Sequence, residues 1–531
     1  MPSKNFKISI DSILGGHSKL SQFSSEGEFK NSLAVDPDAE ETTGSNRSGG
    51  VLTPVPSTAL TAGNGTGIDA EPLWLNTTPK TDNVFVYDQS GKVYEAVLAS
   101  NTISDLNNGA ALTTSSGNGA AYYDNYNYFA TNTNITRYGP LNGVKVFLQT
   151  YWSGLSLSAL GNGVTYPAPK IGTTKYPNHV MHRHVDDKLY ICDVMAANGT
   201  STGRGAIHYI KTTRTTAEGD TNNGSTFNAL DLPYGVWPTD IESYGNDLVI
   251  SAYEGDTSSG NTRGLRGHVY FWDTTSSSFY KDVEFEDPLV SALEFVNGEL
   301  IAFSGNPKDI GCRVSRFIGG YSFEEIAYLE DSQPPFAGAT DSIMSRLVFG
   351  GFSTNMGDYG CLYAIGSKIG KVTRGLFNIM VTSTGTGTGV NVTSCIIPEN
   401  TDFTNTKYLI GWRDGNEYGI DRNATTYRNS KFQSEVFKVG KPFEVERVRI
   451  PLNQAIAANM TLTVKLLVDE ESTSTTIATI NSTTFSDSER FIDLHPNVRG
   501  KHDFFLELDW SGTSLLSVNL PIEIEGRILE N

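Results

Sequence analysis

One strand motif recurs along the middle of this chain and limits what the chain can fold into more than any other feature. A short apolar strand core comes first, then a loop punctuated by glycine, then a second strand rich in aromatic residues. The first halves read KLYIC at 188–192, DLVIS at 247–251, ELIAF at 299–303, RLVFG at 346–350 and KYLIG at 407–411. Their partners read GAIHYI at 205–210, GHVYFW at 267–272, CRVSRF at 312–317, GCLYAI at 360–365 and EYGID at 417–421. Two weaker copies precede them, NVFVY at 83–87 and YNYFA at 126–130, so equivalent anchors run Val84, Tyr128, Leu189, Leu248, Leu300, Leu347 and Leu409. A β unit that cannot bury both of its faces alone must stack on its copies.

The anchors lie about 54 residues apart on average, slightly more than the roughly 40–50 residues of a four-stranded propeller blade. Longer loops absorb the excess. A linear β-solenoid needs shorter, more regular periods, whereas irregular loops on a regular strand core suit closure into a ring with short protected edges. The expectation is an all-β chain with about seven propeller blades over residues 57–435, six or eight blades being the alternatives.

Composition agrees with that class and excludes others. The chain has 531 residues, 38% hydrophobic, with 53 glycines, enough apolar material for ordinary cores and a turn-rich β fold. A net charge of −19 with no clustered Lys and Arg disfavours nucleic acid, whose phosphates demand such clusters. Membrane insertion is not expected, since no 18 apolar residues run together and residues 1–7 (MPSKNFK) carry no signal-peptide core. The widely spaced Cys192, Cys312, Cys361 and Cys395 read as reduced, buried thiols.

Two segments flank the repeat. Residues 1–56 read as an extended N-terminal arm and linker: Phe6, Ile8 and Ile10 alternate as in one strand, while Leu14, Leu20, Phe23, Phe29 and Leu33 are spread through polar sequence. Such a segment closes no core by itself. Either it is a disordered tail or its apolar residues anchor it on a neighbouring subunit. Residues 436–531 change to long alternating strands, with Leu462, Val464 and Leu466 on one face, Phe504, Leu506, Leu508 and Trp510 on another, and Val518, Leu520, Ile522 and Ile524 on a third. With 443–450 and 475–480 these predict a C-terminal β-sandwich.

Candidate chemistry is sparse. His179, His182 and His184 are close enough for zinc, but they lead into a strand that points His182 and His184 to one side and His179 to the other. Asp186 and Asp187 read as a hairpin turn. GTSTG at 199–203 has the string of a nucleophile elbow without a following helix, and 383–389 lacks the lysine of a phosphate loop. DTSSGN at 256–261 lacks the acidic ladder of a calcium loop. Asp240 with Glu242, Glu324 with Glu325, and Glu284 with Glu286 and Asp287 have spacings a glycosidase could use, yet match solvated strand edges equally well. Tyr122, Tyr123 and Tyr126 are possible ligand-binding aromatics, since exposed tyrosines stack on sugars. No catalytic residue, metal ligand or cofactor is assigned.

The segments ILGGH at 13–17, FSSEGEFKNSLAVDP at 23–37 and GGVLTP at 49–54, all preceding a propeller, resemble virion structural proteins of tailed bacteriophages. The resemblance covers roughly the first 55 residues. It implies a non-enzymatic tail component made in the host cytoplasm and resident in the virion, with other virion proteins and copies of itself as partners. A host receptor or glycan is the alternative partner, and a propeller glycosidase or hydrolase a third reading.

Overall fold

The computed structural model describes residues 4–529 apart from residues 12, 14–15, 18–27, 37–50, 56, 63–67, 79–80, 108–111, 113–118, 132–133, 153–169, 172–173, 176–178, 196–202, 212–224, 256–265, 307–309, 344, 354–358, 368–374, 384–389, 399–407, 424–426, 470–473 and 486–489. Every extended element among the described residues is a strand, and the one helical turn among them is the 3-10 segment Ala337–Ala339.

The repeat becomes a series of antiparallel sheets. Each anchor sits in the second strand of a sheet and hydrogen-bonds to the strand that its partner motif forms: Lys188–Met195 with Arg204–Lys211, Asp247–Glu254 with Gly267–Trp272, Glu299–Gly305 with Cys312–Gly319, Ser345–Ser353 with Tyr359–Ser367, and Leu409–Asp414 with Glu417–Asn423. The weaker copies occupy the same place in two earlier sheets, as Thr81–Asp88 and Tyr126–Ala130. Both faces of these second strands are covered by neighbouring sheets, which is why they read as continuous apolar runs; Leu248, Val249 and Ile250 are all fully buried.

The architecture is all-β and propeller-like. First strands of successive sheets touch in chain order, and Asn391–Ile396 returns to Pro72–Thr78, the first strand of the first sheet. Thr393 and Ser394 each donate a hydroxyl hydrogen bond to the Pro72 carbonyl, at 2.8 and 2.6 Å, across that closure. The last sheet takes its fourth strand from the other end of the repeat, Ser57–Ala59, which pairs antiparallel with Glu417–Asn423. Closing the ring with a strand from its beginning removes a free edge at the join.

The flanking segments meet. Asn5–Ile10 adds to the edge strand Ile522–Ile528 in register from Asn5 opposite Arg527 to Ile10 opposite Ile522. Ile522–Ile528 continues into Phe443–Pro451, which also pairs with Phe491–Leu494 and Val498–Gly500. A second sheet runs Asn31–Leu33, Tyr427–Gln433, Asp503–Gly512, Met460–Val468, Thr475–Asn481. The apolar faces of the two sheets share one core, in which Phe443, Val448 and Ile524 of one sheet join Leu462, Val464, Leu506 and Trp510 of the other. Residues 518–524, expected as one strand, split into Val518–Asn519 and Ile522–Ile528. Pro521 lies between them, and a proline offers no N–H to a ladder. Val518–Asn519 pairs instead with Val51–Pro54, which in turn pairs with Val35–Asp36.

The arm residues are therefore built into this chain's own C-terminal sheets. Ile10, Ile13, Phe29 and Leu33 are buried, and Phe6 and Ile8 are half-buried against the same core, with the Phe6 ring 6.1 Å from Phe443 and 6.2 Å from Phe504. Leu14, Leu20 and Phe23 lie outside the described residues. Between Phe29 and Asp36 the arm is a wedge. The Phe29 ring stands 5.4 Å from Phe377 of the sixth sheet and 5.5 Å from Phe432 of the C-terminal sheet. Asn378 accepts a hydrogen bond from the Ala34 amide at 3.3 Å, and Asp36 pairs with Arg346 at 2.9 Å with both side chains 1% exposed.

Removing one partner of a buried pair takes a counter-ion away from a charge that water does not reach. Asp36→Ala is expected to destabilise the chain by about 3–5 kcal/mol, read as a lower urea midpoint, whereas Asp36→Leu combined with Arg346→Met should recover most of that loss.

Candidate functional site

The first strands of the sheets line the axis of the ring, and there the structure gathers several carboxylates with raised pKa values. Asp240 and Glu242 belong to Val236–Tyr244, Glu294 to Leu289–Val296 and Asp341 to Thr340–Ile343, each the first strand of its sheet. These three sheets are consecutive, so carboxylates from three separate stretches of sequence face one another's charge.

Burial and mutual repulsion both disfavour ionisation here. Asp240 is pushed well above the usual carboxylate range by burial, although the amides of Leu293 and Ile241 donate to it at 2.7 and 2.8 Å. Burial raises Glu242 from its ordinary 4.5 to about 8. Glu294 is also held well above the ordinary value, first by burial and then by the charges of Glu242 and Asp341; the Ser342 hydroxyl donates to it at 2.8 Å. A polar cavity of about 280 Å³ adjoins this group, lined by Asn76, Thr77, Thr340, Asp341, Ser342 and Cys395 among others.

Imidazoles border the carboxylates without joining them in a metal site. His182 Nε2 and His184 Nδ1 both reach the Ser243 hydroxyl, at 2.7 and 2.8 Å, and His182 Nε2 lies 3.5 Å from Glu242. Burial lowers His182 to about 4, so the ring is neutral at pH 7. His179 points the other way, into a sealed network where His179 and His208 flank Asp193 at 3.3 and 3.0 Å. Burial alone would raise Asp193, but the hydrogen bond from His208 and the charge of His179 outweigh it and hold the carboxyl below its ordinary value. Among the described residues no group of three or more His, Cys, Asp or Glu could hold a metal ion.

The other sequence candidates scatter. Tyr123 is buried, and its hydroxyl donates to the Asp187 carbonyl at 2.7 Å. Tyr122 and Tyr126 are half-buried, and the Arg137 guanidinium fills the space between Tyr126 and Tyr151, 4.1 and 4.3 Å from their ring centres. These tyrosines pack sheets against each other. Asp187 adopts a positive φ of 59° at the turn expected at Asp186 and Asp187. Glu324 and Glu325 pair with Arg316 and Arg313, at 2.7 and 3.5 Å. The GTSTG stretch is outside the described residues except Gly203, as are 256–261 and 384–389. All four cysteines are free and buried. No helix among the described residues is long and apolar enough to cross a membrane.

Sequence reasoning found Asp240 and Glu242 as a pair and missed Glu294 and Asp341. A signal existed: each lies in the strand just before a motif anchor, the strand that touches its counterpart in the neighbouring sheet.

No protein-family model matches the chain, and no curated protein matches it. Among solved structures it is similar to the computationally designed Ika8 protein, at 13% identity and TM-score 0.37 over 69% of this chain and 99% of that one. The WD40 repeats of RRP9 match at 10% identity and TM-score 0.42 over 70% and 99%. The β-propeller domain of Myceliophteria thermophila Cps50 matches at 7% identity and TM-score 0.38 over 69% and 98%.

A carboxyl whose folded pKa exceeds its unfolded one favours the folded state only while protonated. For Glu242 that contribution is fully present below about 4.5 and disappears as pH rises through about 8. Thermal unfolding should therefore occur at higher temperature at pH 6 than at pH 8.5, and the double variant Glu242→Gln, Glu294→Gln should flatten that dependence by at least half. The thiols give a second check: burial pushes Cys192 and Cys395 well above the ordinary thiol value, so all four cysteines should resist a thiol reagent at pH 8 in the native protein and react fully in denaturant.

Proposed function

We propose that this chain is a non-enzymatic structural protein of a tailed-phage virion, a tail component whose N-terminal arm anchors it and whose propeller is a rigid platform. In this reading the ring is a seven-bladed propeller closed by Ser57–Ala59, and the C-terminal sheets form a β-sandwich. Other virion proteins and further copies of the chain are its partners.

One observation carries the reading: the N-terminal segment engages its sheet by edge-strand addition. Asn5–Ile10 meets Ile522–Ile528 through backbone pairing along its whole length, with Phe6, Ile8 and Ile10 supplying alternate apolar contacts and Lys7 reaching Glu523 at 2.8 Å. Backbone pairing gives affinity and alternate side chains give register. The same seat accepts the same strand from an adjacent subunit, because the contacts do not depend on which copy the strand comes from.

Ser9 lies opposite Glu523 in that register, and the native thiols are buried, so Ser9→Cys with Glu523→Cys reports where each arm is seated. Oxidised assembled particles should give a covalent ladder of this protein on a non-reducing gel, and electron microscopy should place it in the tail. A band at monomer mass alone would overturn arm exchange, and absence of the protein from the particle would overturn the virion role.

A further inference from the structure

The fourth and fifth sheets carry aromatic surface that internal packing does not consume. Tyr244 stands 6.0 Å from Phe271, 5.7 Å from Phe295 and 5.8 Å from Phe317, and Phe317 lies 5.2 Å from Phe323. The cluster surfaces at Tyr280, Ile318 and Tyr321, which are 52%, 58% and 69% exposed. Tyr321 is carried out on the turn formed by Gly319 and Gly320, whose φ values of 98° and 60° are ones a side chain rarely permits.

At the centre of this surface is a cation. The Lys281 ammonium lies 4.7 Å from the centre of the Phe271 ring, 5.0 Å from Phe317, 5.8 Å from Tyr321 and 6.0 Å from Tyr280. Among the described residues it forms no ion pair, although the chain carries a net charge of −19. The carboxylates on nearby strands are engaged elsewhere. Asp247 accepts from the Tyr280 hydroxyl at 2.6 Å, Asp282 meets His268 at 3.0 Å, Glu284 pairs with Arg266, Glu324 pairs with Arg316, and Asp273 caps its own loop through Ser276 at 2.6 Å. Ring faces stabilise the ammonium but leave its charge uncompensated.

We propose that this surface binds an acidic saccharide, with a sugar ring stacked on Tyr321 or Tyr280 and its carboxylate on Lys281. Three features select that chemistry. Exposed phenol faces offer flat apolar area at little conformational cost. Any partner that covers Lys281 must bring an anion, because an ammonium shut away without one is costly. Asp247, Asp273 and the Tyr280 oxygen are acceptors at the rim; they suit sugar hydroxyls, which donate, and would repel the several carboxylates of an acidic peptide. The proposal does not depend on the virion role.

Sialyllactose, a saccharide with a single carboxylate, and its neutral methyl ester, titrated into the purified full-length protein by calorimetry, test it. The acid should bind saturably with a Kd of about 1 mM or tighter, and the ester at least tenfold more weakly. Tyr321→Ala, on an exposed turn, should keep the native unfolding temperature and weaken acid binding at least tenfold. Lys281→Arg should retain the preference for the acid, whereas Lys281→Gln should abolish it. No saturable binding of the acid, equal binding of acid and ester, or indifference to Tyr321→Ala would each overturn the proposal. So would concentration-dependent self-association that Tyr321→Ala abolishes, which would make a second copy of the chain the occupant.

Discussion

The buried pair between Asp36 and Arg346 is the contact on which the arrangement of the whole chain turns. It joins the N-terminal segment to the sixth sheet of the ring at 2.9 Å, with both partners sealed from water. The arm on one side of this point belongs to the C-terminal sheets through Asn31–Leu33, and the strand Ser57–Ala59 on the other side belongs to the ring. A charge pair in such a place adds little net stability over a well-packed apolar pair. What it adds is register, since one carboxylate must find one guanidinium before the wedge of Phe29, Leu33 and Asp36 can seat.

The ring shows the opposite use of burial. Its second strands spend their length on apolar contact, while its first strands place Asp240, Glu242, Glu294 and Asp341 within reach of one another's charge. Like charges in a space shielded from water resist ionisation, so the axis favours acid conditions. The sealed His179–Asp193–His208 network has the reverse balance, because there two imidazoles lie within hydrogen-bonding reach of the carboxylate. Blade packing thus tolerates buried polarity where partners are supplied and stores a pH-dependent cost where they are not.

Much of the fold was legible because a β repeat leaves a period. The anchors from Val84 to Leu409 all land on second strands, where burial on both faces forces an apolar run that no loop mimics. The arm was legible as alternating apolar residues, but not its destination, since an edge strand reads the same whichever sheet receives it. Tyr122, Tyr123 and Tyr126 look available in sequence and are committed to packing, while Tyr280 and Tyr321 sit unremarked just after motif segments and remain open to water. Nothing in a local window distinguishes a tyrosine whose ring faces the next sheet from one at the end of a turn.

By itself, then, the sequence determined the strand order of the repeat, the all-β class and the buried state of the cysteines, because each follows from local patterning and composition. Only the tertiary structure decided that both ends of the chain build one unit beside the ring, that three consecutive first strands bring their acids together, and that Lys281 stands among four rings with no counter-ion among the described residues. Those relations join residues far apart in sequence or on different sheets, and they exist only once closure of the ring has set the distances.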